Sequence, residues 1–396
     1  MSLESGDFKG TRRMQYRSFP NIDFRPSALG FGAMRLPVLN GNQADVDIPE
    51  TVGMIRYAID HGVNYVDTAY FYHSGNSEVA IGEALQDGYR DKVKLATKFP
   101  IRYVKTGADF DRVFDEQLQR LRTDRVDFYL LHGLNRRNWP LQRDLGVLPW
   151  MEQQVRLGRV AHLGFSFHDD FDMFKEIANA YDNWTFCQLH FNYMDVDYQA
   201  GRRGVEYASN KGLGIIIMEP LRGGQLARKP PKPVAMAWKD AGIERSPVEW
   251  AFRWLWNHPE ISLVLSGMSS MDQVVQNVDI ADRDSNDKLT ADDLGVIESV
   301  RRAYKGLCPV PCTGCRYCMP CPNGVDIPSV FRIYNEATMY DDLRTGSMRY
   351  KGPFGLKDEQ DARNCIQCGQ CSDACPQNIP VAEWLKRAHE DLTFVG

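Results

Sequence analysis

The cysteines are the first residues in this chain whose types and spacing imply chemistry. Ten occur among 396 residues, and nine of them lie at or beyond Cys308. The run Cys365-x2-Cys368-x2-Cys371-x3-Cys375-Pro376 has the spacing that ligates a [4Fe–4S] cluster. Upstream, Cys312-x2-Cys315-x2-Cys318-x2-Cys321-Pro322 is a near copy, one residue shorter before its last cysteine. Three thiolates two residues apart let one tight loop wrap a cluster, while the fourth, before a proline, points to a second cluster. This crossing rule groups Cys312, Cys315, Cys318 and Cys375 on one cluster and Cys365, Cys368, Cys371 and Cys321 on the other, with Cys308 left over. Zinc sites and plain reduced thiols are the alternatives. Zinc usually takes paired C-x2-C units, so two four-cysteine runs ending in Cys-Pro fit iron–sulfur chemistry better. Cys187, inside the apolar segment 184–191, reads as a small buried hydrophobe.

A second set of reactive side chains emerges once the preceding elements are placed. Apolar runs at 29–36, 65–69, 94–99, 128–132, 162–167, 186–192, 214–220 and 261–266 read as strands. Stretches such as 50–60, 78–85, 110–121 and 247–256 carry apolar residues at helical spacing. Eight strands with intervening helices match the count and size of an α/β (β/α)8 TIM barrel. A doubly wound sheet is the alternative, but no Gly-x-Gly-x-x-Gly follows an early strand. Barrel chemistry sits at the C-terminal strand ends. Those ends offer Asp67 and Tyr72 after strand two, Lys98 on strand three and His132 on strand four. A tyrosine becomes a usable acid or base when a neighbouring ammonium stabilises its phenolate. Asp67 would pair with Lys98, and His132 would orient a substrate oxygen. Singly, these residues could be a helix cap, a surface ion pair and a buried histidine; jointly they read as catalytic. His73, His168 and His190, also near strand ends, read as pocket lining or core.

The organisation that follows is a leader or cloning scar at 1–13, a barrel over 14–290 and a small, mainly helical ferredoxin-like iron–sulfur domain over 300–396. Helices are expected at 292–304 and 327–340, and the basic, proline-rich stretch 228–233 reads as a surface loop.

The segment Asp67-Thr68-Ala69-x2-Tyr72, followed by Gly75-x-Ser77-Glu78, resembles the aldo-keto reductase family, as do Ala96-Thr97-Lys98 and Asp127-x3-Leu131-His132. Residues 14–19 and the run Leu29-Gly30-Phe31-Gly32-Ala33-Met34 resemble that family's lid hairpin and first strand. With the cysteine-rich tail, the chain resembles the subgroup fused to a C-terminal 4Fe–4S ferredoxin-like domain. The resemblance implies hydride transfer between NAD(H) or NADP(H) and a carbonyl or alcohol, with Tyr72 as proton donor supported by Asp67, Lys98 and His132. It implies that Ser166 and Gln188 contact the nicotinamide amide, and that Gly32, Met34 and Met218 border the cofactor. It further implies that Pro220, Leu221, Gly223 and Gly224 cradle the pyrophosphate. Gly267, Gln273 and Asn277, around the start of the last barrel helix, would border the adenosine end. The sequence departs from the family where its usual Ser-Asn reads Ser166-Phe167-His168, and where Met218 replaces a stacking aromatic. No Lys or Arg occurs in 266–277, and a 2′-phosphate normally meets a cation there, so the balance tips slightly to NADH.

Composition narrows the class. The net charge of −5 and the absence of a basic stripe argue against nucleic acid. The longest apolar runs are too short to cross a bilayer, and residues 1–13 lack a signal-peptide core, which points to the cytoplasm. The leading function is therefore an enzyme acting on a small carbonyl or alcohol, with the iron–sulfur domain serving electron transfer and a redox protein as possible partner. The alternatives are an electron-transfer or redox-sensing protein that uses the barrel as a docking scaffold, and clusters that are purely structural. Phe71, Trp139, Phe191 and Met218 near the expected mouth point to an apolar substrate.

Overall fold

The computed structural model describes residues 14–282, 288–352 and 355–393, so the expected leader lies outside the described residues. The eight strands are β1 (Leu29–Gly32), β2 (Tyr65–Asp67), β3 (Lys94–Phe99), β4 (Val126–Leu134), β5 (Val160–Phe167), β6 (Phe186–His190), β7 (Gly214–Met218) and β8 (Leu263–Gly267). They close into a barrel in sequence order, all parallel, with β1 paired to both β2 and β8. Helices α1 (Ile48–Asp60), α2 (Asn76–Ala84) and α3 (Asp109–Leu121) follow the first three strands. After β4, β5 and β6 come α4 (Trp139–Asp144) with α5 (Val147–Arg156), α6 (Phe171–Asn179) and α7 (Gly201–Asn210). Helices α8 (Lys232–Asp240) and α9 (Pro247–Trp256) follow β7, and α10 (Met271–Ala281) follows β8.

Local chemistry explains the boundaries. The α9 helix starts where Ser246 accepts from the Glu249 amide and Pro247 fills the first turn, a strong start signal. Strand β7 ends at Met218, short of the expected Pro220, because Glu219 takes a left-handed φ of 58°. The stretch 228–233, expected to be a loop, runs into α8: Pro231 precedes the helix start and Pro233 occupies its first turn.

The barrel bottom is plugged by Phe19, which packs with Tyr65, Phe128, Phe186, Ile216 and Leu263. Phe19 arrives on an N-terminal hairpin closed by a Tyr16–Ser27 bridge. Its ring lies so close that a β-carbon at Gly214 would sit 2.0 Å away, which is why β7 opens with glycine. At the opposite end, the register aligns Gly32 with both Asp67 and Gly267, Ser166 with Gln188, and His190 with Met218. These seven residues therefore share one rim of the barrel.

The described chain forms two compact units. The barrel unit takes the residues through Ala227 together with Arg245–Thr290. The second takes Arg228–Glu244, including α8, with Ala291 and the residues after it. Its helices are α11 (Ala291–Lys305), α12 (Ile327–Met339), α13 (Leu343–Lys351), α14 (Gln370–Asp373) and α15 (Val381–Thr393). Val330, Phe331, Tyr334, Tyr350 and Leu385 form its core, and six of its cysteines pack against that core. Among the described residues, no helix is long and apolar enough to cross a membrane.

Candidate active site and cysteine cavities

Lys98, on β3, is the centre of the barrel site. It is fully buried, and its Nζ donates to Asp67 Oδ1 at 2.5 Å and to the Thr68 carbonyl at 2.6 Å. The ammonium lies 4.9 Å from the centre of the Tyr72 ring. Burial opposes its charge, but Asp67 and Tyr72 outweigh that cost and hold the lysine above its ordinary pKa. Tyr72 ends above its ordinary value, because burial outweighs the pull of Lys98. The phenol is therefore a neutral acid at pH 7 rather than a ready phenolate. His132 stacks on Phe71 with centroids 4.7 Å apart and meets Tyr72 edge-on at 5.9 Å. Burial, then the charges of Lys98, His168 and Arg102, push His132 well below the usual histidine range, so it is neutral. Its Nδ1 is buried and has no hydrogen-bond partner among the described residues.

The surrounding elements fix this group. Glu78, buried in α2, accepts from Thr97 Oγ1 at 2.7 Å and from Gln117 Nε2 at 2.8 Å; Gln117 also donates to the Lys98 carbonyl. Helices α2 and α3 thus clamp the strand that delivers the lysine. Gln188 donates from Nε2 to Asp67 Oδ2 at 3.1 Å, and Ser166 Oγ accepts from the Gly133 amide at 2.7 Å.

The turn after β7 is built for close backbone approach. Gly223 and Gly224 have φ values of 68° and 88°, flanked by left-handed Glu219 and Arg222. Asp195 anchors this turn by accepting from Arg222 Nε and His190 Nε2, both at 2.9 Å, and from Asn192 at 3.1 Å. Burial opposes its charge, yet these three partners hold Asp195 well below the carboxylate range. The Asn192 amide also reaches the Glu219 carbonyl. Sequence reasoning placed Arg222 in the turn 220–224 expected to cradle the pyrophosphate but missed Asp195 and Asn192, at which only an Asn-x2-Asp pattern beyond a strand end hinted.

The remaining expected residues fall as follows. Gly32 ends β1, Met34 is exposed just beyond it, and Gly267 ends β8. Gln273 lies in the first turn of α10 and Asn277 one turn further on: Gln273 accepts from the Ser269 amide, and buried Asn277 donates to Ser266 Oγ at 3.1 Å. His73 is buried and tied to a neighbouring loop. His168 lies within reach of the Gln199 amide. Phe191 and Trp139 are buried, and Cys187 is a buried free thiol whose pKa burial raises.

In the second unit the cysteines line two cavities. One is walled by Cys312, Cys315, Cys318 and Cys375 together with Ile327 and Phe331. The other is walled by Cys365, Cys368, Cys371 and Cys321, with Cys318 between the two. Among the described residues no disulfide joins any of the ten cysteines. No three metal-ligating side chains among the described residues converge tightly enough for a single ion. Thiols spread around a cavity suit a cluster, whose irons stand apart, better than one zinc.

Comparison with known proteins agrees with this geometry. A family model described as the aldo/keto reductase family matches residues 28–302, and a 4Fe-4S dicluster domain matches 311–379. L-galactose dehydrogenase of Arabidopsis thaliana is 27% identical over 316 residues, covering 74% of this chain and 97% of that protein. An uncharacterized oxidoreductase, YrpG of Bacillus subtilis, is 29% identical over 242 residues, covering 54% of this chain and 69% of its own length. The holo form of aldo-keto reductase AKR11C1 from Bacillus halodurans superimposes with a TM-score of 0.60 at 24% identity, covering 73% of this chain and 96% of that one. An aldo-keto reductase from Klebsiella pneumoniae in complex with NADPH gives 0.57 at 24% identity, covering 73% and 95%.

Proposed function

The chain belongs to the aldo/keto reductase family and carries a 4Fe-4S dicluster domain; from that premise we propose that its barrel interconverts a small carbonyl compound and its alcohol at Tyr72. The observation that carries this reading is the buried Lys98–Asp67 pair beneath the Tyr72 ring, with neutral His132 edge-on beside that ring.

A nicotinamide dinucleotide, when bound, supplies or accepts the hydride. The chain's own residues do the rest. In the reducing direction, the Tyr72 hydroxyl gives its proton to the substrate oxygen as that oxygen gains charge. Lys98 steadies the phenolate left behind, and Asp67 keeps Lys98 charged and in place. His132, being neutral, donates a hydrogen bond to the substrate oxygen. Ser166 and Gln188 would meet the nicotinamide amide, with Gly32, Met34 and Met218 bordering it. The turn Pro220, Leu221, Gly223 and Gly224 would cradle the pyrophosphate with backbone N–H groups. Gly267, Gln273 and Asn277 would border the adenosine. The lack of any Lys or Arg over 266–277 favours NADH over NADPH.

In the second unit, Cys312, Cys315, Cys318 and Cys375 would hold one [4Fe–4S] cluster and Cys365, Cys368, Cys371 and Cys321 the other. Such clusters would exchange electrons one at a time, whereas hydride carries two together, and we propose that a redox protein serves as the tail's partner. Exposed Tyr317 and Ile366, both on the wall of the second cavity, favour an electron-transfer face there. We assign the barrel to 14–290 and the iron–sulfur domain to 300–396.

Tyr72→Phe tests the reading. Carbonyl reduction should fall by about 10²–10⁴-fold, while the dissociation constant for dinucleotide, followed by tryptophan fluorescence, stays within about threefold, far less than losing one direct hydrogen bond to the cofactor would cause. Undiminished turnover would refute the proton-donor role.

A further inference from the structure

The turn behind the candidate catalytic tyrosine is strained and heavily tied. His73 and Ser74 follow Tyr72 with φ values of 52° and 57°, and Gly75 continues at 97°. Two successive non-glycine residues in the left-handed region persist only where their surroundings over-determine them. The ties are on the page. His73 is buried, its Nε2 accepts from the Leu36 amide at 3.1 Å, and its Nδ1 meets the Gln43 carbonyl at 2.8 Å. An amide N–H can only donate and a carbonyl can only accept. The ring is therefore neutral with its proton on Nδ1. Asn76 adds a bond to the Ala44 carbonyl at 2.6 Å, and Ser77 one to the Ala33 carbonyl at 2.9 Å.

These three side chains, through four hydrogen bonds, grip one excursion, the loop that leaves β1 and returns through a Val38–Val46 bridge. That loop carries Arg35 along the rim. A β-carbon added at Gly267 would lie 3.3 Å from Arg35 Cδ, and one at Gly223 would lie 3.3 Å from Arg35 Nη2. The same guanidinium is 3.8 Å from Glu219 Oε1. Arg35 thus spans from the end of β8 to the glycine turn after β7.

We propose that His73 is a positioning residue for dinucleotide binding: its neutral ring latches residues 33–46 to the Tyr72 turn and thereby holds Arg35 across the rim where the cofactor's phosphates lie. This deepens the cofactor reading above and rests on it. The latch explains why the strained turn is a histidine rather than a plain glycine. It also joins the proton-donating residue and the cofactor rim into one mechanical piece.

The test uses the full chain and two readouts. His73→Leu should speed hydrogen exchange across 34–46 by about tenfold or more without cofactor, leaving β2 and β3 unchanged. It should also raise the NADH dissociation constant by about tenfold, the effect of losing one well-placed hydrogen bond, with kcat at saturation changed by less. His73→Gln, which can still accept from Leu36, should recover part of both effects. If the leucine variant does not fold, Asn76→Ala removes the neighbouring tie and should show the same pattern at smaller size. Unchanged exchange in 34–46 would overturn the latch. Faster exchange with unchanged NADH affinity would overturn its role in cofactor binding. A wild-type chain that binds neither NADH nor NADPH would instead overturn the cofactor reading, while exchange would still decide the latch.

Discussion

Replacing Lys98 by methionine separates the two things this side chain does. Its Nζ donates to Asp67 Oδ1 at 2.5 Å and to the Thr68 carbonyl at 2.6 Å, faces the Tyr72 ring, and is wholly buried. Without it, Asp67 keeps, among the described side chains, only the Gln188 amide as a counterweight in its buried setting. Removing one member of a buried pair costs roughly 3–5 kcal/mol, mostly because the other charge is stranded. With a urea slope of about 3 kcal/mol per molar for a unit of this size, the denaturation midpoint should fall by about 1 M or somewhat more. Adding Asp67→Asn removes the stranded charge, so the double variant should regain more than half of that loss. Activity should not follow stability. Both Lys98→Met and the double variant leave Tyr72 without its ammonium, and both should lose carbonyl reduction by about 10²-fold or more. The cycle is read by urea melts monitored through tryptophan fluorescence, beside steady-state assays. A Lys98→Met protein as stable as the wild type, or a double variant as damaged as the single one, would refute the reasoning.

Two further outcomes follow from the same geometry. Burial holds His132, His162, His168 and His258 below the ordinary histidine range. The unfolded chain therefore binds protons that the native one refuses, and stability should decline as pH falls below about 6.5 and hold steady above it. Urea midpoints between pH 8 and pH 5 would show this, and His132→Asn should flatten the decline. In the second unit, Cys315→Ala and Cys375→Ala remove ligands from the same cavity. Combining them should lower iron from about eight to about four atoms per chain, whereas ligation by each sequence run separately would strip both clusters.

Much of this architecture was legible in the chain because it depends on local pattern. The α9 boundaries, 247–256, coincide with the expected ones because a Ser-Pro start is a chemical signal within three residues. The strand interiors were equally plain, since Tyr65, Phe128 and Ile216 are apolar for a reason the barrel core supplies. Strand ends were not: β7 stops at Met218 because of one backbone angle at Glu219 that no residue type announces. The tetrad was readable because four reactive types fall at successive strand ends, and the barrel's register turns sequence order into proximity. The supports were hidden, since they depend on contacts distant in sequence. Gln188 reaches Asp67 across 121 residues, and His73 reaches back 37 residues to Leu36. The upward displacement of the Tyr72 pKa was also invisible, because burial decides it and burial is a property of the closed rim.

The most direct measurement of the central claim follows a labelled hydrogen. Wild-type protein and Tyr72→Phe would be mixed with NADH or NADPH carrying deuterium at the nicotinamide C4 position and with a panel of apolar aldehydes and ketones. The alcohols formed would be read by mass spectrometry. The account predicts deuterium on the carbinol carbon with wild-type protein for at least one substrate, and little or none with Tyr72→Phe over the same time. Equal labelling by the two proteins, or labelled alcohol from neither, would contradict it.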